Sequence, residues 1–66
     1  MTTERFAMCL KRLRADRKMS QAGLAEKSGV SREYIARLEL GHQDPTLGTM
    51  QKLAKALKVK VTELVE

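Results

Sequence analysis

The sequence predicts a small all-α domain of five helices, and three observations support this. Apolar residues recur at intervals of three and four along most of the 66-residue chain, which is the spacing of a helix face buried against a core. A serine or threonine stands before three of these periodic segments, in the position of a helix N-cap. Strand-like alternation occurs only at 59–61, which is too short to count. A chain of this length is expected to form one domain, over residues 1–66.

The first helix is predicted over residues 3–17, because Phe6, Leu10 and Leu13 lie on one stripe at helical spacing. Cys9 lies on the same stripe, so we expect it to act as a small buried hydrophobe. A single cysteine cannot form an internal disulfide. With only one histidine in the chain, a multi-cysteine zinc site is also excluded, and no metal is expected.

Two short helices follow, and they are predicted over 21–27 and 32–40. A serine precedes each of them and would cap its first turn. Gly29 lies between them and supplies the left-handed backbone conformation that a tight turn needs. A connection this short forces the two helices into contact at a steep angle, which is the geometry of a helix-turn-helix motif over 20–40.

The last two helices are predicted over 47–57 and 62–65, within a C-terminal segment 46–66 that completes the core. This segment is also expected to form a dimer interface, because it offers more apolar surface than one short helix can bury. The residues expected at that interface are Val61, Leu64 and Val65. Leu64 is expected to serve the monomer core as well, so Val61 and Val65 are the cleaner candidates.

The charge balance favours an anionic partner. Thirteen Lys and Arg against eight Asp and Glu give a net charge of +5. Nucleic acid and an anionic membrane are both candidates. Aromatic residues make up 3% of the chain, too few to stack the bases of a single strand, which argues against single-stranded nucleic acid. No apolar run reaches membrane-spanning length and no signal peptide is apparent, so we expect a cytoplasmic protein without membrane association. No catalytic constellation is visible, and neither an enzyme activity, a cofactor nor a small-molecule ligand is expected.

The segment 20–31, Ser-Gln-Ala-Gly-Leu-Ala-Glu-Lys-Ser-Gly-Val-Ser, resembles the helix-turn-helix of the phage Cro/C1 repressor-type (XRE-like) family. The stretches 34–39 and 45–47 fit the same family, and the resemblance extends over nearly the whole chain. Two residues depart from the family pattern. Gly23 stands where the family prefers a helix-forming polar residue, and Leu40 stands where a polar or basic residue is usual.

The resemblance implies a DNA-binding domain that reads sequence with its third helix in the major groove. The residues at the base-reading positions are Arg32, Glu33 and Arg37. The residues expected at the DNA backbone are Gln21, Ser31, Tyr34 and Gln43. Arginine can bond guanine O6 and N7 together, and glutamate can accept from cytosine N4. Each of two assignments has an alternative. Gln21 could instead be a surface residue without a function. Glu33 could instead form an ion pair with Arg37, its i+4 neighbour.

The resemblance further implies a buried or half-buried salt bridge between Arg14 and Glu39, with two separate solvated charges as the alternative. It favours a homodimer that regulates transcription from a (pseudo)palindromic operator. A phage-like repressor, an antitoxin and the controller protein of a restriction-modification system all fit. The alternative function is a protein-interaction module that keeps the fold without specific DNA binding.

Overall fold

The computed structural model describes residues 3–65, which form five α-helices and no strand. The all-α class and the number of helices are therefore as the sequence predicts. In chain order the helices are α1 (Thr3–Asp16), α2 (Gln21–Ser28), α3 (Arg32–Glu39), α4 (Leu47–Leu57) and α5 (Val61–Val65).

The ends of the first three helices differ by one residue from the prediction. Helix α1 ends at Asp16, one residue early, because the chain turns at Lys18, whose φ is 55°. Helix α2 continues one residue further, to Ser28, and α3 stops one residue sooner, at Glu39. Such ends fray and tighten into turns, which periodicity does not resolve.

Helix α5 begins at Val61 rather than at Thr62, because its first turn is closed from the residue before it. The backbone N–H of Lys60 donates to the carboxylate of Glu63 at 2.9 Å. The backbone N–H of Glu63 donates in return to the Lys60 carbonyl at 2.9 Å. A side chain that reaches back from the third helical position to the cap residue is half of a capping box.

The other helix starts and the motif turn are formed by the residues that predict them. The hydroxyl oxygens of Ser20, Ser31 and Thr46 each accept from the backbone N–H three residues further on, at 2.9, 3.1 and 3.1 Å respectively. Gly29 has a φ of 76°, and its N–H donates to the Ala25 carbonyl at 2.9 Å. The turn between α2 and α3 is therefore fixed by local sequence.

All five helices contribute to a single core. Helix α1 packs against α3 and α5, α2 packs against α3 and α4, and α4 packs against α5. The fully buried large side chains are Phe6, Leu10, Leu24, Ile35, Leu38, Leu53, Leu57 and Leu64. Within residues 3–65 no helix combines the length and the apolar character needed to cross a membrane. The packing fixes α3 against the body through one face and leaves its other face to solvent.

Cys9 departs from the sequence expectation. It is a free thiol that is only half-buried, at the edge of a depression between α1 and α5, rather than inside the core. The physical reason is that Cys9 lies at the edge of the apolar face of α1. Phe6 and Leu10 occupy the centre of that stripe and are completely buried.

Candidate nucleic-acid interface

Helix α3 presents the three predicted base-reading residues to solvent. Arg32, Glu33 and Arg37 are all exposed. Ile35 and Leu38 project to the opposite side of the helix and are completely buried in the core. A helix turns by about 100° per residue, so this burial orients the charged face outward. The charged face is therefore held in a fixed direction by the packing of the domain.

The start of α2 lies beside the first turn of α3. Gln21, Arg32, Glu33 and Ala36 line one surface depression. Ser31, the N-cap of α3, is exposed at the same end of the helix. The structure thus places the predicted backbone anchor on α2 next to the predicted base-reading residues on α3.

A second cluster surrounds Arg37. Its Nε donates to Oε1 of Gln43 at 2.9 Å, and the centre of its guanidinium lies 5.8 Å from the centroid of the Tyr34 ring. Within residues 3–65 Glu33 forms no ion pair with Arg37. The contact with Gln43 was not predicted from the sequence, because it joins a helix to the following loop and has no periodic signature.

Arg14 and Glu39, the two residues of the implied ion pair, are in bidentate contact. The Arg14 Nε lies 2.7 Å from Oε2 of Glu39, and Nη2 lies 2.9 Å from Oε1. The side chain of Glu39 is 3% exposed and that of Arg14 is 18% exposed. Arg14 also donates from Nη1 to the Met19 carbonyl at 2.7 Å. The pair joins α1 to the end of α3 and holds the turn that leads into α2.

Gln21 extends this ion pair to the surface. Its Nε2 donates to Oε1 of Glu39 at 3.1 Å, which uses one of the two hydrogens on the amide nitrogen. Burial alone would raise the pKa of Glu39. The hydrogen bonds from Arg14 and Gln21, with the charges of Arg14 and Lys11, outweigh burial and hold that pKa below its ordinary value. The ionised carboxylate therefore orients the amide that was predicted to hold DNA backbone.

At the C-terminal surface, Leu64 serves the monomer core, as expected. It is completely buried, which leaves Val61 and Val65 as the residues available for contact with a second copy. Val61 and Val65 are half-buried. Met8 is 72% exposed and lines, with Glu63, the depression between α1 and α5. The apolar surface near the C-terminus therefore includes α1 as well as α5, which the sequence did not indicate.

Two residues just beyond α3 stand apart from these clusters. Leu40 is 65% exposed and His42 is also exposed.

Among residues 3–65 no three His, Cys, Asp or Glu side chains come together in the way that metal ligands would. The structure thus brings together the α2 and α3 residues, and separately Arg37 with Gln43, as two parts of one exposed face.

The chain is similar in sequence to known helix-turn-helix proteins. Residues 10–64 match the model of HTH_3, a helix-turn-helix family. The immunity repressor protein of Bacillus phage phi105 is 39% identical over 56 residues, which are 85% of this chain and 39% of the repressor. The chain thus spans about two-fifths of that repressor's length. An uncharacterized HTH-type transcriptional regulator of Methanocaldococcus jannaschii is 42% identical over 55 residues, which cover 83% of each protein.

Solved structures with the same fold include two restriction-modification controller proteins. C.AhdI from Aeromonas hydrophila has a TM-score of 0.91 at 35% identity, over 94% of both chains. C.Esp1396I, solved as a tetramer in complex with its natural 35-base-pair operator, has a TM-score of 0.84 at 24% identity. That likeness covers 97% of this chain and 95% of C.Esp1396I, and at this identity it concerns the fold alone.

Proposed function

This chain belongs to the HTH_3 helix-turn-helix family, and on that premise we propose that it regulates transcription by binding a specific site on double-stranded DNA. The observation that carries the proposal is the exposed face of α3, where Arg32, Glu33 and Arg37 project beside Gln21. A rigid helix with this face fits the major groove, with its N-terminal part at the base edges. We expect this site to bind DNA without catalysing a reaction, and we expect the protein to act in the cytoplasm.

Base reading is assigned to three side chains. The two terminal nitrogens of Arg37 suit guanine O6 and N7, and Arg32 offers the same chemistry five residues earlier, in the first turn of α3. Glu33 is repelled by phosphates, so its place near DNA is at a base edge, where it can accept from cytosine N4. Each assignment uses a side chain that the fold already directs outward.

Backbone contacts are assigned to residues around this reading face. Gln21 keeps one amide hydrogen free for a phosphate, and it lies at the start of α2, where unpaired N–H groups also favour an anion. The expected contacts from the start of α3 and the loop after it are Ser31, Tyr34 and Gln43. Such contacts fix the register of the protein on DNA without selecting sequence.

We also propose that the chain acts as a homodimer. One domain of this size reads only a few base pairs, and symmetric pairing doubles the contacts on a palindromic site. The half-buried Val61 and Val65, with the exposed Met8 on the neighbouring helix, provide the apolar surface for pairing. Sedimentation at micromolar concentration tests this. We expect the wild type to be a dimer and Val65→Lys to be a monomer. The proposal would be contradicted if the wild type stayed monomeric and bound DNA without cooperativity.

The proposed function is tested by selecting bound duplexes from a random pool, followed by affinity measurements on the selected site. Arg37→Ala is expected to lose about 1–3 kcal/mol of binding free energy on the selected site and much less on unrelated DNA. Lys55→Ala is the matched control, because it removes one positive charge from an exposed position on α4 that lines a different depression. This control should leave base preference unchanged. A wild-type protein that enriches no sequence would rule out specific binding.

A further inference from the structure

We propose that Gln43 is a positioning residue that orients Arg37 for base reading, in addition to touching the DNA backbone. The inference rests on the proposed function and deepens it. Its basis is the 2.9 Å hydrogen bond from the Arg37 Nε to Oε1 of Gln43. Gln43 lies in the loop after α3 and is half-buried, whereas Arg37 is an exposed residue of the helix. The loop therefore reaches back to the helix that reads bases.

The chemistry of the two side chains fixes which end of the amide faces which way. An arginine nitrogen can only donate, so the amide oxygen of Gln43 must face Arg37. The amide nitrogen of Gln43 then faces away from the guanidinium with both of its hydrogens available. These hydrogens suit a phosphate oxygen, while the arginine they help to place suits a base. One amide thus connects a backbone contact to a base contact.

The bond to Gln43 also selects which donors of Arg37 remain. It occupies Nε and leaves the two terminal nitrogens, whose hydrogens match guanine O6 and N7 in a bidentate contact. Tyr34 stands on another side of the guanidinium, with its ring centroid 5.8 Å away. Arg37 is therefore restrained by two neighbours before DNA arrives. Such pre-organisation reduces the freedom that a long side chain must lose on binding.

A residue that only holds phosphate weakens all duplexes alike, so base preference separates the two roles. Gln43→Met keeps the length of the side chain and removes its polar atoms. A full bidentate preference for guanine corresponds to roughly 5- to 150-fold in affinity over the other bases. On the wild-type selected site, we expect Gln43→Met to lower that preference at the Arg37 base pair by at least about threefold. An equal loss of affinity for all four base pairs would overturn the proposal.

Gln43→Glu is the matched second variant. It keeps an acceptor for Arg37, loses the amide hydrogens and brings a negative charge towards the phosphates. We expect its overall affinity for DNA to fall while the guanine preference stays close to that of the wild type. In an Arg37→Ala background, neither Gln43 variant should alter base preference further. A Glu variant that loses preference as fully as the Met variant would show that the acceptor is irrelevant.

The contact can also be measured without DNA. Nuclear magnetic relaxation of the Arg37 Nε–H reports how far this group is restrained, and an order parameter below about 0.6 indicates a flexible group. We expect a higher value in the wild type and a fall in Gln43→Met. Equal values in the two proteins would overturn the proposal. If the wild type enriched no DNA sequence, the proposed function would fail, and this measurement would still decide whether Gln43 restrains Arg37.

Discussion

Replacing Arg14 by methionine should strongly destabilise the domain. The change keeps a long side chain with similar helix propensity but removes the guanidinium from Glu39. The side chain of Glu39 is 3% exposed and would keep only Gln21 as a hydrogen-bond donor. The Met19 carbonyl would also lose the donor that holds the turn after α1.

The magnitude follows from the burial of the two partners. Breaking a buried ion pair by removing one partner costs about 3–5 kcal/mol. Because the Arg14 side chain is still 18% exposed, we expect the lower end of this range, about 3 kcal/mol. Domains have roughly 0.05–0.15 kcal/mol of stability per residue, so the total here is on the order of 3–10 kcal/mol. The substitution should therefore remove from about a third to nearly all of the stability of the domain.

The cost should depend on pH in a defined direction. In the wild type the pKa of Glu39 is lowered, so its stabilising contribution is complete above the unfolded-state pKa of about 4.3 and is lost as the pH falls through the folded value. Arg14 supplies the strongest of the interactions that lower this pKa, so the variant lacks most of this contribution at neutral pH. The difference in unfolding free energy between the two proteins should be largest at neutral pH and should shrink towards about pH 3.

Urea denaturation followed by circular dichroism, at several pH values, measures this difference. Arg12→Met is the control, because Arg12 is an exposed residue of the same helix and the substitution makes the same change in charge and length. Its effect should stay within about 0.5 kcal/mol and should not vary with pH. Equal destabilisation by the two substitutions, or a cost that does not change with pH, would refute the reasoning.

Three further predictions concern packing, the turn and the reading face. Leu24→Ala should cost about 2–5 kcal/mol in urea denaturation because Leu24 is completely buried, whereas Leu47→Ala, at a residue 61% exposed, should cost well under 1 kcal/mol. Gly29→Ala should destabilise by about 1–2 kcal/mol because φ is 76°, whereas Gly48→Ala, in α4 with open space around it, should stabilise by up to about 1 kcal/mol in the same assay. Glu33→Ala should raise affinity for unrelated DNA and relax preference at one base pair; an unchanged base preference in a duplex selection would exclude readout by Glu33.

The fold was predictable because its determinants are local. Helical periodicity, the capping residues and Gly29 each act within a few positions, and the structure has all five helices in the predicted order. The start of α5 was misplaced because its cap is formed by Lys60 with Glu63, a pair without the usual Ser or Thr signature. Cys9 was misplaced because a stripe drawn on a helix does not say which of its residues lie at the centre.

The interface was predictable only in part. The helical wheel gives the outward direction of Arg32, Glu33 and Arg37, because their neighbours Ile35 and Leu38 are core residues. Contacts that join different elements have no periodic signature. The bond from Arg37 to the loop belongs to this class, since it depends on the path of the chain after the helix.

The two glutamines of the face show how one side chain acquires opposite tasks from its partner. Gln21 lies against a carboxylate, which can only accept, so its amide nitrogen faces the protein. Gln43 lies against an arginine, which can only donate, so its amide oxygen faces the protein.

A well-packed apolar pair in place of Arg14 and Glu39 would stabilise a fold at least as well as a buried ion pair does. Such a pair could not accept from Gln21, so the buried charge supplies an orientation at the surface that packing alone would not.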